Sequence, residues 1–338
     1  MNELEKDLKR KLDTLCTQYR KSTSMETKDL ILEVIKGIYS VANEFSLNID
    51  SPSIPLIDNF EKQIRKFNIQ YEEIFNNMFD INEKVALLYK DIFEGYFSNK
   101  YLVHLSDANI NEYVFNFFES FDKNISNHFV KQIKNGNIWM FERYKRGKYK
   151  GETVPVKNDG ESFILLKSTR DIQDVRFLAH ELMHSYTNEY VWKLSNYEKK
   201  QYLLNNLQEV YSIFIEFAII KFLEENGYNK KDINTSNNTA DESFSCAIYS
   251  YSQYFNIMVN FQNEINDESL NQYHYLERYA LGELIARYFY NIYKEDSKEG
   301  KRLINDFVKN IPKKEKRDLI FDHINIDVLF DKEKIIIK

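Results

Sequence analysis

His180, Glu181 and His184 are the residues whose types and spacing most readily do chemistry, in the run His180-Glu181-Leu182-Met183-His184. Positions i and i+4 share a helix face, so on a helix both imidazoles can reach one divalent ion while the carboxylate between them faces a water beside it. This H-E-x-x-H pattern is the signature of a hydrolytic zinc site with the acid as general base. The chain has six histidines, so such a pentapeptide can also arise by chance or sit as a surface pair, and its surroundings must decide.

Those surroundings predict a helix. Thr169 and Asp171 are N-cap candidates, and Ile172, Val175, Ala179, Leu182 and Tyr186 recur at helical spacing as a buried stripe with His180 and His184 beside it. A dry surround of this kind strengthens metal ligation. A catalytic zinc needs a third protein ligand, and Glu209, 25 residues beyond His184, is the candidate. It opens a run from Leu207 to Ile220 that is apolar on most sides, where Glu209, Ser212 and Glu216 fall at i, i+3 and i+7 as one polar stripe. A buried carboxylate needs a cation, and a metal supplies one for Glu209; pairing with a Lys or Arg of another helix, or a solvated stripe, is the alternative. Glu216, with Ser212 on the same stripe, reads as support that accepts a free ring N–H of His180 or His184. Two imidazoles and one carboxylate favour a single Zn2+ over manganese or iron.

Ahead of this helix, Trp139 to Glu142, Gly151 to Val156 and Ser162 to Leu166 read as strands of a small antiparallel sheet, with Tyr144 to Lys150 as a basic turn. An exposed strand edge can hold an extended peptide by main-chain hydrogen bonds whatever its sequence. A hairpin that binds nothing is the alternative.

The stretch from Trp139 to Glu216 resembles the catalytic core of the oligoendopeptidase F and thimet-oligopeptidase group of zinc metallopeptidases. The matching segments, in the group's order, are Arg146 to Gly151, Phe163 to Leu166, Thr169 to Val175, Leu178-Ala179-His180-Glu181-Leu182-Met183-His184, and Glu209 to Glu216. The resemblance implies a mainly α, multi-helical gluzincin-type metallopeptidase with the small sheet beside its active-site helix. It makes His180, His184 and Glu209 the zinc ligands and Glu181 the general base. It also makes Gly151, Glu152, Thr153 and Val154 the substrate strand, with Glu152 where the group carries a small residue.

A second block, Tyr273 to Gly282, is similar to the group's tyrosine-rich run ending in Tyr-Ala-x-Gly. Tyr279, Tyr275 and His274 are its catalytic candidates. Tyr275 and Tyr279 stand at i and i+4, so two hydroxyls could point at one developing oxyanion. With 24 Tyr and 25 Phe in the chain, packing is the competing account of such a pair. His274 is embedded among the tyrosines, and Glu277 stands where the group often has Tyr.

Composition narrows the remaining classes. Nine Gly and four Pro in 338 residues predict long helices, and 43% hydrophobic residues supply a core. A formal charge of -6 gives no footprint for nucleic acid. The basic cluster Lys145 to Lys150 reads either as a solvated turn or as a contact for an acidic substrate group. The charged start Met1 to Arg10 carries no apolar segment and no run approaches a membrane span, so a cytoplasmic protein with a peptide substrate, and neither nucleic acid nor membrane as partner, is expected. Cys16 and Cys246 imply no disulfide framework.

Organisation reads as an N-terminal helical region over 1–135 and a catalytic region over 136–338, forming one continuous body. A loop is expected at 48–55, a polar break at Asn234 to Thr239 and a short strand in the tail at 334–338. The expected activity is zinc-dependent endopeptidase cleavage of oligopeptides. The alternatives are a protease dedicated to one protein, a carboxypeptidase in which Arg278 grips a terminal carboxylate, and a zinc-stabilised peptide-binding module. Glu181 counts against the last, because a scaffold has no use for a base beside the metal.

Overall fold

Scarce glycine and proline leave long stretches free to be helical, and the computed structural model is built of helices and one small sheet. It describes residues 3–22, 78–89, 101–142, 151–155, 162–260 and 267–331, with isolated positions between 24 and 38, between 67 and 73, and at 335. The loop expected at 48–55, the basic run 145–150 and, apart from 335, the tail 334–338 lie outside the described residues.

In chain order the elements are α1 (Glu3–Lys21), α2 (Phe79–Tyr89), α3 (Asp107–Phe121), α4 (Lys123–Lys134), β1 (Ile138–Glu142), β2 (Gly151–Pro155) and β3 (Ser162–Ser168). There follow α5 (Ile172–Trp192), α6 (Asn196–Asn205), α7 (Glu209–Glu225), α8 (Lys230–Asn260), α9 (Asp267–Glu295), α10 (Ser297–Asn310), α11 (Lys316–His323) and α12 (Ile326–Leu329). The chain divides into two compact units, one of residues 1–59 and 104–193 and the other of residues 60–103 and 194–338.

In the first unit the mainly helical expectation holds, and the sheet is mixed rather than antiparallel. Its order is β1-β3-β2, with β1 parallel and β2 antiparallel to β3. The cause is the run Phe163-Ile164-Leu165-Leu166, which is buried throughout. A strand apolar on both faces belongs at the centre of a sheet, so β3 displaces the expected hairpin partner and leaves β2 as an edge. Helix α5 packs on this sheet through Ile172, Val175, Leu178, Ala179 and Leu182, all fully buried.

Asp171 is the N-cap of α5, its carboxylate accepting the Gln173 N–H at 2.8 Å. Thr169 has a different task. Its N–H and that of Arg170 donate to the buried carboxylate of Asp174, at 3.0 and 2.6 Å, and Ser168 adds its hydroxyl at 2.6 Å. This lets Arg170 hold a left-handed φ of 56° at the strand-to-helix turn. A carboxylate in the first helical turn also opposes the dipole favourably.

In the second unit the expected break at Asn234 to Thr239 is absent, because α8 runs unbroken from Lys230 to Asn260. Its polar residues satisfy the helix instead of interrupting it. Asn229 accepts from the N–H of Lys231 and Asp232, while the hydroxyls of Thr235 and Thr239 donate to carbonyls one turn back. Ile233, Ala240, Phe244, Ile248 and Tyr251 then bury one face.

Glu277 of α9 is the electrostatic knot of this unit. With 1% of its side chain exposed, it pairs with Lys316 at 2.9 Å and accepts from Asn82 and Asn206, each at 2.8 Å. These bonds join α2, the turn before α7, α9 and α11. A second knot lies further along α9, where fully buried Arg287 bonds Glu283, Asp241 and the carbonyl of Ala240.

Removing one partner from a buried pair strands a charge. Lys316→Met is therefore expected to lower unfolding free energy by about 3–5 kcal/mol, with Lys316→Met/Glu277→Gln recovering part of the loss. Urea denaturation of the three proteins checks this, and a single variant as stable as the wild type would contradict it.

Candidate functional site

Helix α5 carries its two imidazoles as the spacing requires. His180 Nε2 and His184 Nε2 lie 3.0 Å apart, with His180 9% exposed and His184 half-buried. Two ring lone pairs at that separation need a proton or a cation between them. Two nitrogen ligands of one tetrahedral zinc, each at about 2.0–2.1 Å, would stand about 3.3–3.4 Å apart, so a small opening of the pair accommodates an ion.

Glu181 projects from the same helix toward β2 and is 7% exposed. Its carboxylate Oε2 and its backbone carbonyl each lie 2.8 Å from the Thr153 hydroxyl. Gly151 supplies the room. A Cβ there would stand 2.8 Å from both Cγ and Oε1 of Glu181, which explains in steric terms why the strand opens on glycine.

In the second unit Glu209 begins α7, 4% exposed. The turn ahead of it is held by two asparagines. Asn205 donates to the carbonyls of Ile311 and Lys314, and Asn206, at a left-handed φ of 53°, donates to the His274 carbonyl at 2.7 Å as well as to Glu277. Gly282 brings α9 against the start of α7, since a Cβ at that glycine would meet the Glu209 Cβ at 2.9 Å. Ser212 bonds the Glu209 carbonyl at 3.1 Å and touches its Oε2 at 3.5 Å. Arg278 sets its Nε 3.7 Å from Glu209 Oε1. Burial first, and then the Glu209 carboxylate, push the Tyr202 phenol above its usual range.

Tyr275 and Tyr279 share a face of α9, their ring centroids 4.9 Å apart, with the Arg278 guanidinium 5.8 and 5.5 Å from the two rings. Tyr275 is 37% exposed, whereas His274, next in the chain, is buried. Burial, reinforced by the Lys316 and Arg278 charges, drives the His274 ring well below its usual pKa, so it stands neutral. Glu216 is buried on α7. Among the described residues, His180 and His184 of the first unit and Glu209 of the second each offer one atom of a kind that can ligate a metal ion.

No family model matches the chain and no curated protein matches it. Solved structures do. A protein described as an oligoendopeptidase F, from Bacillus anthracis strain Ames, aligns with a TM-score of 0.52 and 14% identity over 92% of this chain and 61% of its own. A PZ peptidase A solved with an inhibitor aligns with a TM-score of 0.52 and 13% identity over 98% of this chain and 73% of its own. The fold is that of the oligoendopeptidase-type peptidases. The chain spans less than two thirds of the length of the first.

Some of the contacts around these residues escape sequence reading. Arg278 beside Glu209 and Thr153 on Glu181 arise between segments remote in sequence, and Tyr202 comes near the Glu209 carboxylate across the turn between α6 and α7. The glycines at 151 and 282 were the available signal, marking the two places where a backbone presses on a glutamate.

His128 of α4 also escaped it. Its Nε2 lies 3.0 Å from the hydroxyl of fully buried Ser185, on α5. The Gln132 amide nitrogen reaches the same ring nitrogen at 3.3 Å, with its own carbonyl taken by Asn137. An amide N–H can only donate, so Nε2 accepts and the ring proton sits on Nδ1, 3.6 Å from Glu189. Burial lowers this pKa to about 4, against an opposing contribution from Glu189 and with a smaller one from Lys131 in the same direction.

A ring that titrates near 6.5 unfolded and near 4 folded contributes stability that is full above the first value and lost as pH falls toward the second. Between pH 7 and pH 5 the metal-free protein is expected to lose about 2 kcal/mol more than His128→Gln does. Denaturant titrations at the two pH values test it, and parallel losses in the two proteins would contradict it.

Proposed function

We propose that this chain is a zinc-dependent endopeptidase that hydrolyses oligopeptides. The observation that carries the reading is helix α5 itself, which sets two imidazole nitrogens 3.0 Å apart and carries next to the first a carboxylate held in a fitted seat. The fold shared with oligoendopeptidase-type structures supports it, as does a buried carboxylate at Glu209 with a ligand atom to give.

On this reading His180, His184 and Glu209 hold one Zn2+, which when bound acidifies water and polarises a carbonyl. Glu216 and Ser212 support the ligands, Glu216 by accepting a ring N–H and Ser212 through its contacts to Glu209. Glu181 takes the proton of the attacking water and delivers it to the leaving amine nitrogen as the carbon–oxygen bond forms and the carbon–nitrogen bond breaks. The Tyr279 hydroxyl donates to the carbonyl oxygen as its charge grows, with Tyr275 beside it. His274, neutral and buried, fits a supporting role for the α9 turn better than proton transfer. Strand β2, at one end of the order β1-β3-β2, takes the peptide backbone through Gly151 to Val154.

Carboxypeptidase action is the second reading, favoured by Arg278. Its side chain is 32% exposed between Tyr275 and Tyr279, placed as a cation for a terminal carboxylate would be.

Glu181→Gln is expected to keep about one zinc per chain by elemental analysis, the single-site loading of a three-ligand catalytic centre, while abolishing hydrolysis. Turnover retained by that variant would end the assignment. Chelation should remove activity and added zinc restore it. Tyr279→Phe should lower kcat by roughly 10-fold to 1000-fold, and an equal kcat would take Tyr279 out of the reaction. Mass spectrometry of a mixed peptide library separates internal cuts from C-terminal trimming.

A further inference from the structure

We propose that Thr153 is a positioning residue for the general base, its hydroxyl fixing the carboxylate of Glu181 in the pose from which it accepts a proton. The inference deepens the peptidase reading and rests on it.

The Thr153 hydroxyl has one proton and two acceptors at 2.8 Å, the Glu181 backbone carbonyl and Glu181 Oε2. The carbonyl lies inside α5, where the helix supplies its own N–H donor four residues on. The carboxylate is charged and is the stronger acceptor. The proton therefore belongs to Oε2.

Gly151 and Thr153 are alternate residues of β2 and so face the same side of the strand. Both meet Glu181, the first by having no side chain where Cγ and Oε1 pass, the second by supplying a donor. A tether between strand and helix would need the hydroxyl but not the empty position beside it. The combination fits the carboxylate instead, holding one oxygen and shaping the space around the other. Glutamate has three side-chain torsions, and freezing them before reaction removes an entropic cost from the catalytic step.

Thr153→Val keeps the shape and deletes the donor; Thr153→Ser keeps the donor and deletes the methyl. We expect Thr153→Val to lower kcat by about 10-fold to 100-fold, the size of one hydrogen bond to a charged group, with KM within about twofold and zinc content unchanged. Thr153→Ser should recover most of kcat. Crystal structures of the three zinc-free proteins supply the readout independent of turnover, with the Glu181 carboxylate in one position in the wild type and Thr153→Ser, and spread over several in Thr153→Val. An undisturbed carboxylate in Thr153→Val, or a serine variant as slow as the valine one, overturns the proposal, the latter by showing that the methyl's packing is what matters. A wild-type chain that cuts no peptide sinks the base role together with the peptidase reading, whatever the crystals show of Glu181.

Discussion

Withdrawing a carboxylate from water costs several kcal/mol unless donors or a cation replace what water gave, and this chain turns on that constraint. Asp174, Glu181, Glu209, Glu277 and Glu283 are all buried. Each sits where an element must be held in place. Asp174 ties the turn into α5, Glu277 gathers four segments around Lys316, and Glu283 shares Arg287 with Asp241. Glu181 and Glu209 are supported differently. Thr153 donates its hydroxyl to the first, and Ser212 and Arg278 approach the second, the arginine at 3.7 Å. The Glu277 carboxylate, by contrast, gathers three donors, one of them the Lys316 ammonium.

What sequence could reveal followed from periodicity. Helix α5, its buried stripe and the two histidines beside it are local consequences of a 3.6-residue repeat, and the polar stripe opening α7 is another. The three strands were legible as well, from β-branched and aromatic residues bounded by turn signals. Their pairing was not. Order in a sheet depends on which strand must be covered on both faces, and only the full burial of Phe163, Ile164 and Leu166 places β3 between the others.

The continuity of α8 was illegible for a related reason. Asn234 to Thr239 looks like a loop by composition, because such side chains compete with the helical backbone for hydrogen bonds. In place the Thr235 and Thr239 hydroxyls bond carbonyls of the preceding turn, while Ile233 and Ala240 keep the buried face intact. Composition registers the competition but not its outcome, which tertiary burial decides. His274 belongs with these cases. Chain position set it among tyrosines, yet helical rotation turns it into the interior while Tyr275 turns outward.

A strand beside a helix can serve two ends because its residues alternate. On β2, Gly151 and Thr153 address Glu181, so Glu152 points to the opposite side and the main chain is left to face along the sheet. Since β3 pairs with one edge of β2, an extended peptide would, under the proposed function, join the opposite edge. Under the peptidase proposal, a peptide added there would pair with the same strand whose Gly151 and Thr153 meet Glu181. On the proposed reading, anything that shifts β2 along its register moves substrate and base together, because a one-residue slip would replace glycine with a side chain against Glu181 and turn the Thr153 hydroxyl to the wrong face. The steric demand at Gly151 therefore fixes the register of the strand as well as the conformation of the acid.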